Sequence, residues 1–381
     1  MLFCEFTYNV WVIVPFSGIK RQALNESETI MEVFRQSFLE SDYILGRTTR
    51  ELESDLSLAF DFSNVISVAS GSSALELVMT LMFNQGHRSI ATTSNTGGYA
   101  TNAAFAAGME VTIIDVDPET ALMSKESLLY TLKVSDVSVV VYTHLYGNYY
   151  NFLEILDLCK ARGVIVVEDC AQSLGLKFHG VYMGSQSDFA TLSFYPTKNL
   201  GAIGDAGAIV AKNSNDAEML RKMRNYGWTH KYIYSIPSSS NKRMDSIQAA
   251  IILNRLPSLS SWNLKRAEIL SKFEKALHPS WGHFFRYKST VAHLAVLRTK
   301  NRDMFIDYLS RLGIESSTHY PICDTDQEIW ATKLSYSQDA FSRQLSKEVL
   351  SLPCYPQLLD VEIDYICKVI SDFLPNTEVE N

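Results

Sequence analysis

Within residues 163–208, four side chains have the types and spacing to do chemistry together: Asp169, Gln172, Ser193 and Lys198. A lysine amine can form an imine with an aldehyde and, once freed, serve as acid and base. A carboxylate can keep a pyridine nitrogen protonated, and only the pyridinium is a strong sink for carbanion electrons. Hydroxyls and backbone N–H groups at a strand-to-helix turn can hold a phosphate. Gly201, Gly204 and Gly207 follow the lysine. They do not form G-x-G-x-x-G, and no G-x-x-x-x-G-K-[ST] occurs, so Lys198 is not a P-loop lysine. An acid alone at a strand end, or a lysine alone in a glycine-rich loop, is commonly structural. Together and in this order, the residues fit one cofactor, pyridoxal 5'-phosphate.

The elements that must position these groups are legible from the hydrophobic pattern. The run 163–167 has no polar alternation and reads as a buried strand ending on Glu168 and Asp169. A second strand, 189–194, carries Ser193 into the Pro196-Thr197-Lys198 turn, and a third apolar strand begins at Gly207. Upstream, the strand 64–69 feeds Ser70-Gly71-Ser72-Ser73, which opens a helix. That turn is either a plain serine N-cap or, with Gly71 letting the backbone approach an anion, part of a phosphate site. Residues 89–94, 110–115 and 137–143 are further strands. The last leads to His144 at a strand end, where open α/β sheets place ligands. Residues 25–40 have helical spacing, with Ile30, Val33, Phe34 and Phe38 on one face, and 52–60 look helical again. From 245 to 277 the pattern is one long helical region kinked at Pro257, joining two expected domains, 1–250 and 251–381. The second alternates an apolar strand (291–297), a helix (301–312) and two helical stretches flanking 350–356, a small α+β unit.

A chain of 381 residues, 46% hydrophobic, can bury a sizeable core in two domains. A formal charge of -8 argues against a general nucleic-acid binder. Within this acidic chain, residues 221–244 carry six Lys or Arg and no acid. That run is either a solvated basic face or a funnel for a nucleotide diphosphate and the cofactor phosphate. Six cysteines show no C-x-x-C spacing and read as reduced core residues of a cytoplasmic protein. No apolar run reaches membrane-spanning length. The apolar start, residues 1–16, lacks a basic n-region and a small-residue cleavage site, and reads as an extension or a strand and not as a signal peptide. The tail from Pro375 looks frayed.

VIVVEDCAQSLG (164–175) followed by SFYPTKNLGAIGDAGAIV (193–210) closely resembles the DegT/DnrJ/EryC1/StrS family of nucleotide-sugar aminotransferases, and the resemblance runs from about residue 14 to about 373. HLYG (144–147), RNYG (224–227), NKRM (241–244), HYP (319–321) and LSLPCYP (350–356) match it as well. The resemblance implies an α/β fold type I pyridoxal-phosphate enzyme, with a large α/β/α domain built on a mostly parallel sheet and a small α+β C-terminal domain. It implies transfer of an amino group from L-glutamate to a nucleotide-linked keto-deoxysugar, for surface polysaccharide or glycoconjugate synthesis. The working unit it implies is a cytoplasmic homodimer with its active site at the subunit interface, taking no nucleic acid and no membrane as partner.

Carried over residue by residue, Lys198 and Asp169 are catalytic, Asp169 protonates the ring nitrogen, and Gln172 contacts the ring hydroxyl. Gly71, Ser72 and Ser193 hold the phosphate, with Asn241 reaching in from the partner chain. Tyr99 is the nearest aromatic to cover the ring, because Gly97 stands where the family has an aromatic. His144, Lys231, Arg243, His319 and Tyr320 are candidate substrate contacts, and no metal is expected. CDTDQEIW (323–330) replaces the family's H-L-Q-P-x-Y beside the sugar site. Two other readings share the resemblance. One is a sugar dehydratase, recognisable by a histidine in place of the lysine, which Lys198 argues against. The other is a cofactor-binding regulator without turnover, which would need a damaged site or a DNA-binding segment.

Overall fold

Short apolar runs make the centre of the molecule. In the computed structural model, which describes residues 13–336 and 339–373, eight strands form one sheet. They are β1 (Asn64–Val68), β2 (Ser89–Thr93), β3 (Glu110–Ile114), β4 (Val139–Thr143), β5 (Ile165–Asp169), β6 (Phe189–Ser193), β7 (Gly207–Ala211) and β8 (Leu334–Tyr336). Their spatial order is β1-β7-β6-β5-β4-β2-β3-β8. Only β7 runs antiparallel to its neighbours; the pairs from β6 through to β8 are parallel.

Both faces are covered, which is why these strands read as continuous apolar runs. Alternate residues of β4 feed opposite cores: Val140 and Tyr142 join Leu52, Leu56 and Phe152 on one side. Val139 and Val141 join Leu77, Val78 and Ala103 on the other. The result is three layers, helix–sheet–helix, with the helices Gly71–Asn84 and Tyr99–Ala107 on one face and Arg47–Phe60 and Phe152–Lys160 on the other.

The long helical region is two helices, Ser246–Arg255 and Leu259–Ala276, hinged by a 3-10 turn at Pro257. Beyond it, His283–Phe284, Ala295–Arg298 and Val349–Leu352 make a small antiparallel sheet. Helices Leu259–Ala276, Arg302–Arg311 and Asp360–Asp372 pack around it, with Phe273, Leu309 and Ile366 in its core. The strand expected at 291–297 is thus shorter and shifted, Ala295–Arg298. The chain crosses the expected 250/251 division twice. Val14 pairs with Ile314 and lies in the core of the C-terminal unit. Conversely, β8 leaves that unit to join the large sheet beside β3.

Helix Ser27–Glu40 forms where the spacing predicts, but its apolar face is not a core face. None of its residues is buried, and Met31 and Phe38 are 66% and 70% exposed. Among the described residues, no helix is long and apolar enough to cross a membrane. Most of the apolar start (residues 1–12) and the tail from residue 374 lie outside the described residues.

Candidate active site

The site is built where strands β5, β6, β7 and β1 end. Asp169 closes β5, and its pairing with Thr191 of the parallel neighbour β6 sets Ser193 just beyond it at the same sheet edge. Gly207 of β7 pairs with both Ser193 and Val68, which brings the Ser70–Gly71 turn alongside. The packing is tight enough to fix residue types. A Cβ on Gly207 would sit 2.7 Å from the Gly71 nitrogen, and one on Gly71 would sit 2.8 Å from the Ser193 Cβ.

Helix Gly71–Asn84 therefore starts at the sheet edge with its first turn open. Ser70 is the N-cap, its Oγ accepting from the Ser73 N–H at 3.0 Å. The two readings of this turn are compatible, since Ser70 caps while Gly71, Ser72 and Ser193 line the neighbouring cavity. A helix N-terminus flanked by two hydroxyls is suited to an anion.

That cavity, about 390 Å³, also takes in Asp169, Gln172, Lys198 and Tyr99. Lys198 sits in a turn held by its N–H donating to the Tyr195 carbonyl at 2.8 Å. Burial pushes its amine down to about 8, with Asp169 pulling the other way. Asp169 is buried, and its Oδ1 accepts from the Ala171 N–H at 3.1 Å and the Thr191 hydroxyl at 3.4 Å. Burial raises the Asp169 carboxyl, while the Ala171 N–H, Lys198 and His144 lower it. Asp169 thus lines a cavity that also holds an amine and an anion cradle, and no hydrogen bond to its Oδ2 occurs among the described residues. A pyridine N–H, an aldehyde and a phosphate would meet those three features in turn, so the residues present fit pyridoxal phosphate.

Gln172 is engaged at both ends. Its Oε1 accepts from the Tyr146 N–H at 2.6 Å, and its Nε2 donates to the Tyr320 hydroxyl at 3.1 Å. His319 and Tyr320 line the cavity from the C-terminal unit. Burial, with Lys198 nearby, lowers the His319 imidazole to about 4.

The remaining candidates lie elsewhere in this single chain. His144 is fully buried, packed on the rings of Tyr142 and Phe152, with Nε2 2.8 Å from a Glu168 oxygen. It does not line the cavity. Asn241 is exposed, Arg243 holds its side-chain oxygen at 2.8 Å, and neither these two nor Lys231 reaches the cavity. The basic run is also less bare than its sequence: Lys222 pairs with Glu218, Arg224 with Glu53, and Lys242 with Glu76. Lys231 and Arg243 form no ion pair with a carboxylate among the described residues.

Lining residues that sequence reasoning missed include Asn199, His293 and Arg266. Asn199 Oδ1 lies 2.9 Å from His293 Nδ1, and its Nδ2 donates to Asn263 at 2.7 Å. Arg266 is buried on the carbonyls of His293 and Cys354. Asn199, one residue after the lysine, carried the only available signal, since its partners are distant in sequence.

Comparison with known proteins bears on the family and the fold. A transaminase of Streptomyces venezuelae, named dTDP-3-amino-3,4,6-trideoxy-alpha-D-glucose transaminase, is 31% identical over 91% of this chain and 92% of its own. A pleiotropic regulatory protein of Geobacillus stearothermophilus is 28% identical over 94% of this chain and 98% of its own. The crystal structure of a DegT DnrJ EryC1 StrS aminotransferase from Brucella abortus superposes with a TM-score of 0.88 at 25% identity, covering 94% of this chain and 98% of that one. The family model matches residues 25–371, nearly the whole fold just described, and the chain belongs to the DegT/DnrJ/EryC1/StrS aminotransferase family.

Proposed function

We propose that the chain is a pyridoxal-phosphate aminotransferase that converts a nucleotide-linked 3-keto-deoxysugar to the amino sugar, with L-glutamate as donor. The observation that carries this reading is the meeting of Lys198, Asp169 and the Gly71–Ser72–Ser193 cradle in one cavity. The name of the Streptomyces relative supports amination at carbon 3. L-glutamate as donor follows from the family resemblance, and Arg266 is a cation on the cavity wall that could face one of its carboxylates. Pyridoxal phosphate, when bound, supplies the electron sink and carries the amino group from donor to acceptor. The chain's own residues do the rest. Asp169 keeps the proton on the ring nitrogen. Lys198, with an amine near neutrality, takes a proton from one carbon and returns it to another. The helix N-terminus and the two serines hold the phosphate.

The same reading makes the working unit a homodimer. The outward apolar face of helix Ser27–Glu40 suits burial against a second copy, and Asn241 would reach the partner's phosphate site. Five cysteines among the described residues are free, in keeping with a reducing cytoplasm. Surface polysaccharide or glycoconjugate synthesis is the role we assign, and deletion of the gene should then remove an amino sugar from the surface polymer. The direct test is incubation with ¹⁵N-glutamate and dTDP-linked or UDP-linked 3-keto sugars, followed by mass spectrometry. Label in the sugar supports the reading; a cofactor-loaded protein that labels none of them overturns it. In that case the Geobacillus relative's name favours the second reading, a regulator without turnover.

A further inference from the structure

Gly97 and Gly98 precede helix Tyr99–Ala107 with φ of +78° and +77°, a left-handed backbone that other residues rarely adopt. What stands over them comes from the C-terminal half. A Cβ on Gly97 would lie 2.9 Å from Tyr320 Cε1, and a Cβ on Gly98 would lie 2.7 Å from Trp330 Cη2. The segment carrying both aromatics is fastened to the large domain at several points. Tyr146 Oη donates to the His319 carbonyl at 2.6 Å, and Gln172 Nε2 donates to Tyr320 Oη. The Asp324 N–H donates to the Ser94 carbonyl at 2.9 Å, and the Thr101 hydroxyl donates to the Asp324 carboxylate. Beyond Trp330, strand β8 pairs with β3.

A flat heterocycle bonded to Asp169 on its edge needs an apolar, water-excluding surface on its face. Two aromatics line the cavity on the side of this glycine pair, Tyr99 and Tyr320, set edge to face with centroids 6.5 Å apart. Tyr99 is 50% exposed and makes no side-chain hydrogen bond among the described residues. Tyr320 is fixed by Gln172, three residues from Asp169.

We infer that Tyr320, seated on Gly97, is the ring that packs against the cofactor, so that the C-terminal half supplies one wall of the cofactor site. This rests on the reading of the cavity as a pyridoxal-phosphate site. The test follows visible absorbance and circular dichroism as cofactor is lost from the purified holoprotein during dialysis, for wild type, Tyr320→Phe, Tyr320→Leu, Tyr320→Ala and Tyr99→Leu. Tyr320→Leu and Tyr320→Ala should bind cofactor about tenfold more weakly, with Tyr320→Phe within about twofold of wild type, as expected for the loss of one ring contact. Tyr99→Leu should lose less than Tyr320→Leu. If Tyr320→Ala does not fold, the comparison of Tyr320→Leu with Tyr320→Phe decides. Retention as tight as wild type in Tyr320→Leu, or a larger loss in Tyr99→Leu, overturns the assignment. A wild-type protein that takes up no pyridoxal phosphate overturns the site reading itself.

Discussion

Lys198 and Asp169 face opposite demands from the same burial, which drives the amine toward neutrality and the carboxyl toward its protonated form. With the Lys198 amine near 8, capture of pyridoxal phosphate by the cofactor-free protein should speed up as pH rises through about 8 and then level off, because only the neutral amine attacks. Stopped-flow absorbance checks this, and a flat profile from pH 6 to 9 would count against it. Lys198→Ala should keep its far-ultraviolet circular dichroism and lose turnover and the bound-cofactor absorbance of the wild type. Asp169→Asn should retain cofactor but lose roughly 10²-fold or more in kcat with little change in KM, since an amide cannot hold the ring proton. Near-wild-type turnover would mean that another residue serves the ring nitrogen. These two residues were legible because lysine, acid and serine share one local segment. Gln172 was legible as a position, but its hold on Tyr146 and Tyr320 was not, since those partners lie on other elements.

At the scale of elements, the glycine turns and the segment that covers them set the geometry. Gly207→Ala would push a methyl into the Ser70–Gly71 backbone, and backbone yields less readily than a side chain. The expected cost is about 1–3 kcal/mol of stability together with weaker cofactor retention, measured by urea unfolding and dialysis. Asp324 offers a pH signature. Burial raises its carboxyl from 3.8 to about 7. The folded protein then holds a proton that the unfolded chain releases, so this contribution to stability is full below about 4 and is lost as pH rises through about 7. Asp324→Asn should flatten the fall in stability between about pH 4 and 7, and at pH 8 should exceed wild type by on the order of 1–3 kcal/mol. A wild-type fall that the variant reproduces would count against it. The sequence pattern marked most strands of the large sheet, because each is a local apolar run. It did not mark β8, whose Leu-Ser-Tyr is polar at its centre and is a strand only through pairing with β3.

For the whole molecule, the decisive question is whether one chain makes a complete site. Asn241 stands outside its own chain's cavity, as it must if it serves a partner. Lys198→Ala and Asn241→Ala, each inactive alone, should recover a sizeable fraction of activity when refolded together, because one site in each mixed dimer has both intact residues. No recovery with heterodimers shown to have formed, for instance by native mass spectrometry, would place Asn241 outside the site. The apolar side of helix Ser27–Glu40 was visible in the sequence as a periodic stripe, but periodicity cannot tell a core face from one left exposed on a single chain.

The pairing of β8 with β3 also bears on how the protein is made. Glu110–Ile114 leaves the ribosome long before Leu334–Tyr336 exists. At 5–20 residues per second, that edge of the growing sheet waits roughly 10–45 s for its last neighbour. Throughout that interval its amide and carbonyl groups are open to other nascent chains. Slower translation of residues 115–333 should therefore lengthen that exposure.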